Sequence, residues 1–210
     1  MSDETTTIVA AVRAALDEAL AAGRRSTEQG KAIDDHQVHA ERLAYAATEA
    51  AAAEALAAYA AARRDAGGAD PVVDRMAAAF AGEIAARHRA LIEAHREDFG
   101  VSDATFARTL ASPAVAAAVR AAQHESRFRE IGREVIRTRG ANNSWIDGDM
   151  AEMARDSARG FARKEVAPLA ERIHRHDDLV PDAIIAKMRS SATSACPYRR
   201  STAGRGWGTW

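Results

Sequence analysis

D-G-D-M-A-E-M-A-R-D-S-A-R-G-F-A-R-K-E-V-A-P-L-A-E-R-I-H-R-H-D-D-L-V-P-D-A-I-I-A-K-M, from Asp147 to Met188, is the stretch of this 210-residue chain whose residues point beyond simple helix formation. Phe161, Val166, Leu169 and Ile173 follow one another at five, three and four residues, which is one face of a helix. Arg163, Lys164, Glu165, Glu171 and Arg172 fall mostly on the other face. Pro168 interrupts that pattern, so the helix is expected to bend there or to restart with Pro168 in a first turn. A second helix is expected to open at Val180-Pro181-Asp182 and to carry Ile184, Ile185 and Met188.

The run R-G-F-A-R-K-E-V-A-P-L-A-E-R-I (Arg159 to Ile173), the polar link H-R-H-D-D-L-V-P (His174 to Pro181) and D-A-I-I-A-K-M (Asp182 to Met188) together resemble the N-terminal helical domain of the acyl-CoA dehydrogenase family. The likeness covers about a fifth of the chain and its motif is moderately specific. It implies an FAD-dependent oxidoreductase that desaturates an acyl-CoA thioester. A glutamate base removes the α-proton in that family, and the β-hydride passes to flavin N5. The middle β-barrel domain and the C-terminal four-helix domain that grip FAD and substrate are expected to be absent here. No catalytic, cofactor-binding or metal-binding residue is therefore assigned, and no cofactor is expected on this chain alone. The resemblance implies acyl-CoA as substrate and a homo-oligomer for the full-length family.

Beyond Met188 the sequence changes character. Residues 189–210 contain no acidic residue and no apolar period, and two of the three tryptophans lie in the last four positions. By composition this is a disordered basic tail. Back-translated with GC-rich codons and read two bases later, the same tail gives E-L-G-Y-F-G-L-S-V-P-E-E-Y-G-G, which resembles what the family places after this helix. That reading implies a one-base deletion just after the Met188 codon, an out-of-frame remnant from Arg189 onward, and a longer natural frame.

Outward from this stretch, composition speaks for helices throughout. Hydrophobic residues make up 47% of the chain but aromatics only 5%, and alanine, the best helix former and a poor strand residue, dominates. A formal net charge of −1 without a basic stripe argues against nucleic-acid binding. There is no run of about twenty apolar residues to span a membrane. The acidic start M-S-D-E-T-T-T lacks the order of a signal peptide. Cys196 is the only cysteine, which excludes a disulfide framework. The chain reads as cytoplasmic.

The spacing of Ile8, Val12, Leu16 and Leu20 predicts a first helix over about Thr6 to Ala22, closed by Gly23. A long alanine-rich helix is expected from about Ser26 to Arg64, with Ile33, Leu43, Ala47, Leu56 and Tyr59 as its larger apolar residues and Gly67-Gly68 at its end. The alternative for A-A-A-E-A-L-A-A-Y-A-A-A is a low-complexity spacer. Asp70-Pro71 is a cap-and-proline start for a helix reaching about Asp98. A short helix is expected over Ser102 to Ala111. Ser112-Pro113 then opens another, expected to run to about Arg139.

Five helices before Gly140 predict a bundle. The whole is thus expected to be all-α: residues 1–140 an N-terminal helical extension, residues 145–188 the start of an acyl-CoA dehydrogenase N-terminal domain, and residues 189–210 an out-of-frame or disordered tail. Gly140 to Ser144 reads as the linker, with Trp145 and Ile146 anchoring the segment beyond it. Methylsuccinyl-CoA dehydrogenases are the branch of the family whose extension the first 140 residues resemble.

Seven histidines invite a metal hypothesis. His36 with His39, and His88 with His95, are expected to share helical faces, and Glu171-x-x-His174 has di-iron spacing. A di-iron bundle needs two such Glu-x-x-His pairs and two further carboxylates, so solvated histidines are the better reading. Glu83, Glu93 and Glu97 step along one helix and read as a solvated face. The apolar stripe of Phe161, Val166, Leu169 and Ile173 is a candidate surface for self-association. An autonomous helical interaction module with a basic tail stands as the alternative to an enzyme fragment.

Overall fold

The computed structural model describes residues 3–140, 146 and 148–195. Among them every regular element is helical, and the chain divides near residue 142 into two compact units. Trp145, Cys196, the linker from Ala141 to Ser144 and the tail from residue 196 lie outside the described residues.

The first unit is built on three long helices: α1 (Asp3–Ser26), α2 (Gln37–Asp65) and α3 (Pro71–Ala94). Each packs on the other two, and α6 (Pro113–Ala122) lies against α1 and α3. The core comes from the stripe seen in sequence on α1, Ile8, Val12 and Leu16, joined by Ile84 and Ile92 of α3 and by Phe99. On α2 the buried residues are Leu43, Ala46, Ala50, Ala53, Ala57 and Ala60. That alternating three–four spacing is a helix-packing seam made of methyl groups. The alanine-rich segment is therefore a close-packed core helix, and the spacer reading does not hold.

Several boundaries differ from expectation for identifiable reasons. Gly23 does not end α1. It lies inside the helix, where a Cβ would come 2.4 Å from Leu43 Cδ2, so the glycine serves close packing. The chain leaves α1 three residues later through Thr27, Glu28, Gln29 and Gly30, the last three at positive φ, and passes a 3-10 turn (Ile33–His36) before α2. Ile33 accordingly lies outside the long helix. At its other end α2 closes as expected. Gly67 takes φ +78°, its N–H donates to Arg64 O at 2.9 Å, and the Gly68 N–H donates to Arg63 O at 3.0 Å, a Schellman arrangement.

Asp70 caps α3 by accepting from the Val72 N–H at 2.9 Å, with Pro71 in the first turn. The helix stops at Ala94, and the expected continuation to Asp98 is a separate turn, α4 (Arg96–Phe99), closed by Gly100 at φ +60°. Next come α5 (Asp103–Arg108), capped by Ser102, and α6, capped by Ser112. The single helix expected from Pro113 to Arg139 is two. The chain breaks at Gln123 and restarts as α7 (Glu125–Arg137), with the His124 side chain accepting from the Ser126 N–H. Gln123 turns its amide back to donate to Ala79 O at 2.6 Å, which ties the break to α3.

The second unit holds α8 (Asp149–Phe161), a π turn (Ala162–Val166), α9 (Ala167–His176) and α10 (Asp182–Ala195). Pro168 has no N–H for the carbonyl of Lys164, and its ring would crowd that carbonyl. One extra residue in the preceding turn relieves the clash, and the Ala167 N–H reaches back to Ala162 O. The insertion explains the five-residue step between Phe161 and Val166. α10 continues through Ala195, seven residues beyond the end expected at Met188. Lys187 reaches Glu165 at 2.5 Å, an ion pair between α10 and the π turn.

Candidate functional site

Two histidines of the first unit depart from the solvated reading: His88 is buried, and the half-buried His39 has both ring nitrogens shielded from solvent. His88 faces inward from α3 on the side of Ile84 and Ile92 and is 1% exposed. Its Nε2 lies 3.1 Å from Glu49 Oε2 of α2, and Arg87 holds the other oxygen of Glu49 at 3.1 Å. A carboxylate only accepts, so the proton belongs on Nε2 and leaves Nδ1 as a buried acceptor without a partner. Burial keeps the imidazole below the ordinary histidine range, against the opposing pull of Glu49. A His–carboxylate pair is the orienting half of many acid–base sites. Here the remaining nitrogen faces packed protein, so the pair ties α2 to α3 and is not placed for catalysis.

His39 lies near the start of α2, its ring edge-on to Phe99 with centroids 5.3 Å apart. Both ring nitrogens are buried and have no hydrogen-bond partner among the described residues. Burial again lowers the pKa, with Asp98 pulling the other way and His36 and Arg42 adding to the depression. The ring forms part of the wall of a cavity of about 510 Å³ between the end of α1, the following turn and the start of α2. Leu20, Leu43, Ala40 and Ile33 supply its apolar lining, and Arg24 is its one charged lining residue apart from the neutral histidine. A smaller groove of about 210 Å³ lies beside α3 and α6, with Leu110 and Val115 in its lining and Arg89 and Arg120 at its sides.

The remaining candidates do not converge. His36 sits in the 3-10 turn and not on the helix of His39. His95 follows the end of α3, with Nδ1 3.4 Å from Arg42 and 3.9 Å from Asp98. Glu171 and His174 are exposed on α9, where Glu171 pairs with Arg175 at 2.7 Å. Glu83, Glu93 and Glu97 are all exposed, as a solvated face would be, and do not come together as a metal site. Among the described residues no three His, Cys, Asp or Glu side chains come together as a metal site. No helix among them is long and apolar enough to cross a membrane.

Residues 5–94, which comprise nearly all of α1, all of α2 and α3, and the segments between them, match the family model of the acyl-CoA dehydrogenase C-terminal domain. No curated protein matches, and no solved structure matches. The match supports a relationship to the acyl-CoA dehydrogenase family. The matched model describes the C-terminal domain of that family, whereas the resemblance read in the sequence from Arg159 to Met188 is to its N-terminal domain.

Proposed function

We propose that the chain is a fragment of an FAD-dependent acyl-CoA dehydrogenase. In this reading a helical bundle of the family's C-terminal-domain type precedes the first helices of a dehydrogenase N-terminal domain. The observation that carries the proposal is the match of residues 5–94 to the family's C-terminal domain. The residues from Arg159 to Met188 add a second resemblance to the same family in a separate part of the chain. Methylsuccinyl-CoA is the substrate we propose for the intact enzyme, and a one-base deletion after the Met188 codon is the proposed origin of the sequence from Arg189 onward.

The described residues do not fit FAD. A dinucleotide needs a formed pocket with several placed polar groups. The larger cavity offers Arg24 and Gln29 over an apolar wall, and the smaller is little more than a groove. The isolated chain is therefore proposed to be inactive. Sequencing the gene across the Met188 codon tests the proposal: restoring one base should yield E-L-G-Y-F-G-L-S-V-P-E-E-Y-G-G and a long dehydrogenase frame. Stops in all frames within a few codons would overturn it. The purified chain should emerge colourless from gel filtration after incubation with FAD and should not reduce an electron acceptor with acyl-CoA. A yellow protein with stoichiometric flavin would contradict the inactive-fragment reading.

A further inference from the structure

The cavity between the end of α1 and the start of α2 is not absorbed by the dehydrogenase reading, and four features of it bear on a ligand. Its volume, about 510 Å³, lies in the range of small-molecule sites. Its wall is largely apolar, yet Ile33 is held at it 47% exposed, a side chain that gains little from the fold as it stands. The turn that closes it, residues 27–30, keeps Glu28 and Gln29 at φ +49° and +61°, where non-glycine residues are disfavoured. Thr27 fixes this turn by donating to Gly23 O at 2.8 Å and accepting from the Gly30 N–H at 3.2 Å.

The charge of the lining is one-sided. Arg24 is exposed and carries no hydrogen bond or ion pair from its guanidinium among the described residues; Arg13, Arg63, Arg64, Arg75 and Arg87 of the same unit each hold a carboxylate, and Arg25, Arg89 and Arg120 do not. Among the described residues the lining includes no aspartate or glutamate. His39 does not add a second cation, since both of its ring nitrogens are buried with no acceptor among the described residues. An apolar slot with a single free guanidinium complements a ligand with one anionic head and a short apolar body.

We infer that this cavity is a binding site for a small amphiphilic monocarboxylate, with the carboxylate on Arg24 and the hydrocarbon against Leu20, Ile33, Ala40 and Leu43. The guanidinium fork pairs with both carboxylate oxygens, and Gln29 can donate a further hydrogen bond at the mouth. A neutral alcohol of the same length loses the ion pair, and an amine meets like charge.

Hexanoate, hexanol and hexylamine, each titrated into the full 210-residue chain and followed by amide NMR shifts, test this. Hexanoate should shift the amides of Gly23, Thr27, Gly30 and Ala44 with saturation, and hexanol and hexylamine should bind more weakly. Arg24→Gln should weaken hexanoate about five- to tenfold, the loss of one charge-assisted contact. Ala44→Phe should abolish binding by filling the slot, and because Ala44 is exposed its unfolding midpoint should stay near that of the parent chain. Absence of saturable shifts at these amides up to tens of millimolar overturns the inference. Equal binding by hexanol, or unchanged binding in the folded Arg24→Gln or Ala44→Phe chain, overturns it as well.

Discussion

Gly82 and Gly132 both lie within helices, and adding one methyl group should act in opposite directions at the two. At Gly82 on α3 a Cβ would stand 2.8 Å from Ala122 Cβ and 2.9 Å from Gln123 Nε2. An alanine Cβ cannot swing aside, so α6 itself would have to move. Gly82→Ala should cost about 1–3 kcal/mol despite its better helix propensity. At Gly132 on α7 no atom of the described residues outside the helix backbone would lie within 4 Å of a Cβ, and Gly132→Ala should add up to about 1 kcal/mol. Urea unfolding of both variants checks the pair, and equal signs would refute the packing argument. The buried His88 and the half-buried His39 give a second expectation at this scale. Both have folded-state pKa values below the ordinary one. Their contribution to stability is thus full above about pH 6.5 and is lost as the pH falls from there toward the folded values, because the unfolded chain takes up the proton first. Urea midpoints should therefore fall between pH 7 and pH 5.5, a window above the range of the ordinary carboxylates, and the fall should shrink in His39→Phe. A midpoint that is flat over this window would show that the ring nitrogens of neither histidine are shielded from water as the geometry has them. Neither the Glu49–His88 pair nor the environment of His39 was legible in the sequence. The partners lie 39 residues apart, and only the packing of α2 on α3 brings them together.

At the scale of elements, the helix starts that carry a short polar residue before proline were the easiest to read. Asp70-Pro71 and Ser112-Pro113 satisfy a free N–H and preset φ in three residues, so no tertiary context is needed. Asp70→Ala and Ser112→Ala should each cost about 1 kcal/mol, up to about 2. For Asp70 the loss also includes its ion pair with Arg63 at 3.2 Å. Thermal melts showing either variant unchanged would mean that the cap is replaced by solvent. The break at Gln123-His124 escaped because histidine is an unusual cap and the apolar period runs through it. Gly23 misled for the opposite reason. A glycine before Arg24-Arg25-Ser26 has the composition of a helix end, and its true role depends on Leu43, twenty residues away. Pro168 announced an irregularity whose form was already present in the five-residue step from Phe161 to Val166. An inserted residue keeps these two on one face, and both are half-buried. Replacing Pro168 by alanine removes the reason for the insertion. The π turn should then revert to α-helix and rotate Phe161 relative to Leu169 by about 100°, which amide shifts over residues 159–169 would reveal.

For the whole molecule the two units differ in what they bury. The first sets Ile8, Leu16, Ile84, Ile92, Phe99 and a seam of alanines in one core. In the second, Ile184 is the one buried apolar side chain among the described residues, while Phe161, Val166 and Ile173 are half-buried and Met150, Met153, Leu179 and Met188 are exposed. Each large apolar side chain left in water forgoes about 1.5–3 kcal/mol. Helices of ten to fourteen residues are marginal without such burial. The first unit should therefore fold alone, and the second should open readily or cover its stripe of Phe161, Val166, Leu169 and Ile173 by pairing with another copy. Limited trypsin digestion should cut first among Arg155, Arg159, Arg163 and Arg175 and leave a resistant core ending near Arg139. Increasing protein concentration should slow those cuts without changing the core, because self-association protects only the second unit. Hydrogen exchange on a sample shown to be monomeric by sedimentation separates the alternatives. Amides of α8, α9 and α10 should exchange orders of magnitude faster than those of α1 and α3, since local opening there sacrifices little buried area. Equal protection of the two units in the monomer would mean that the apolar stripe is already covered within one chain, and the second unit would then be a finished domain and not the opening of a larger one.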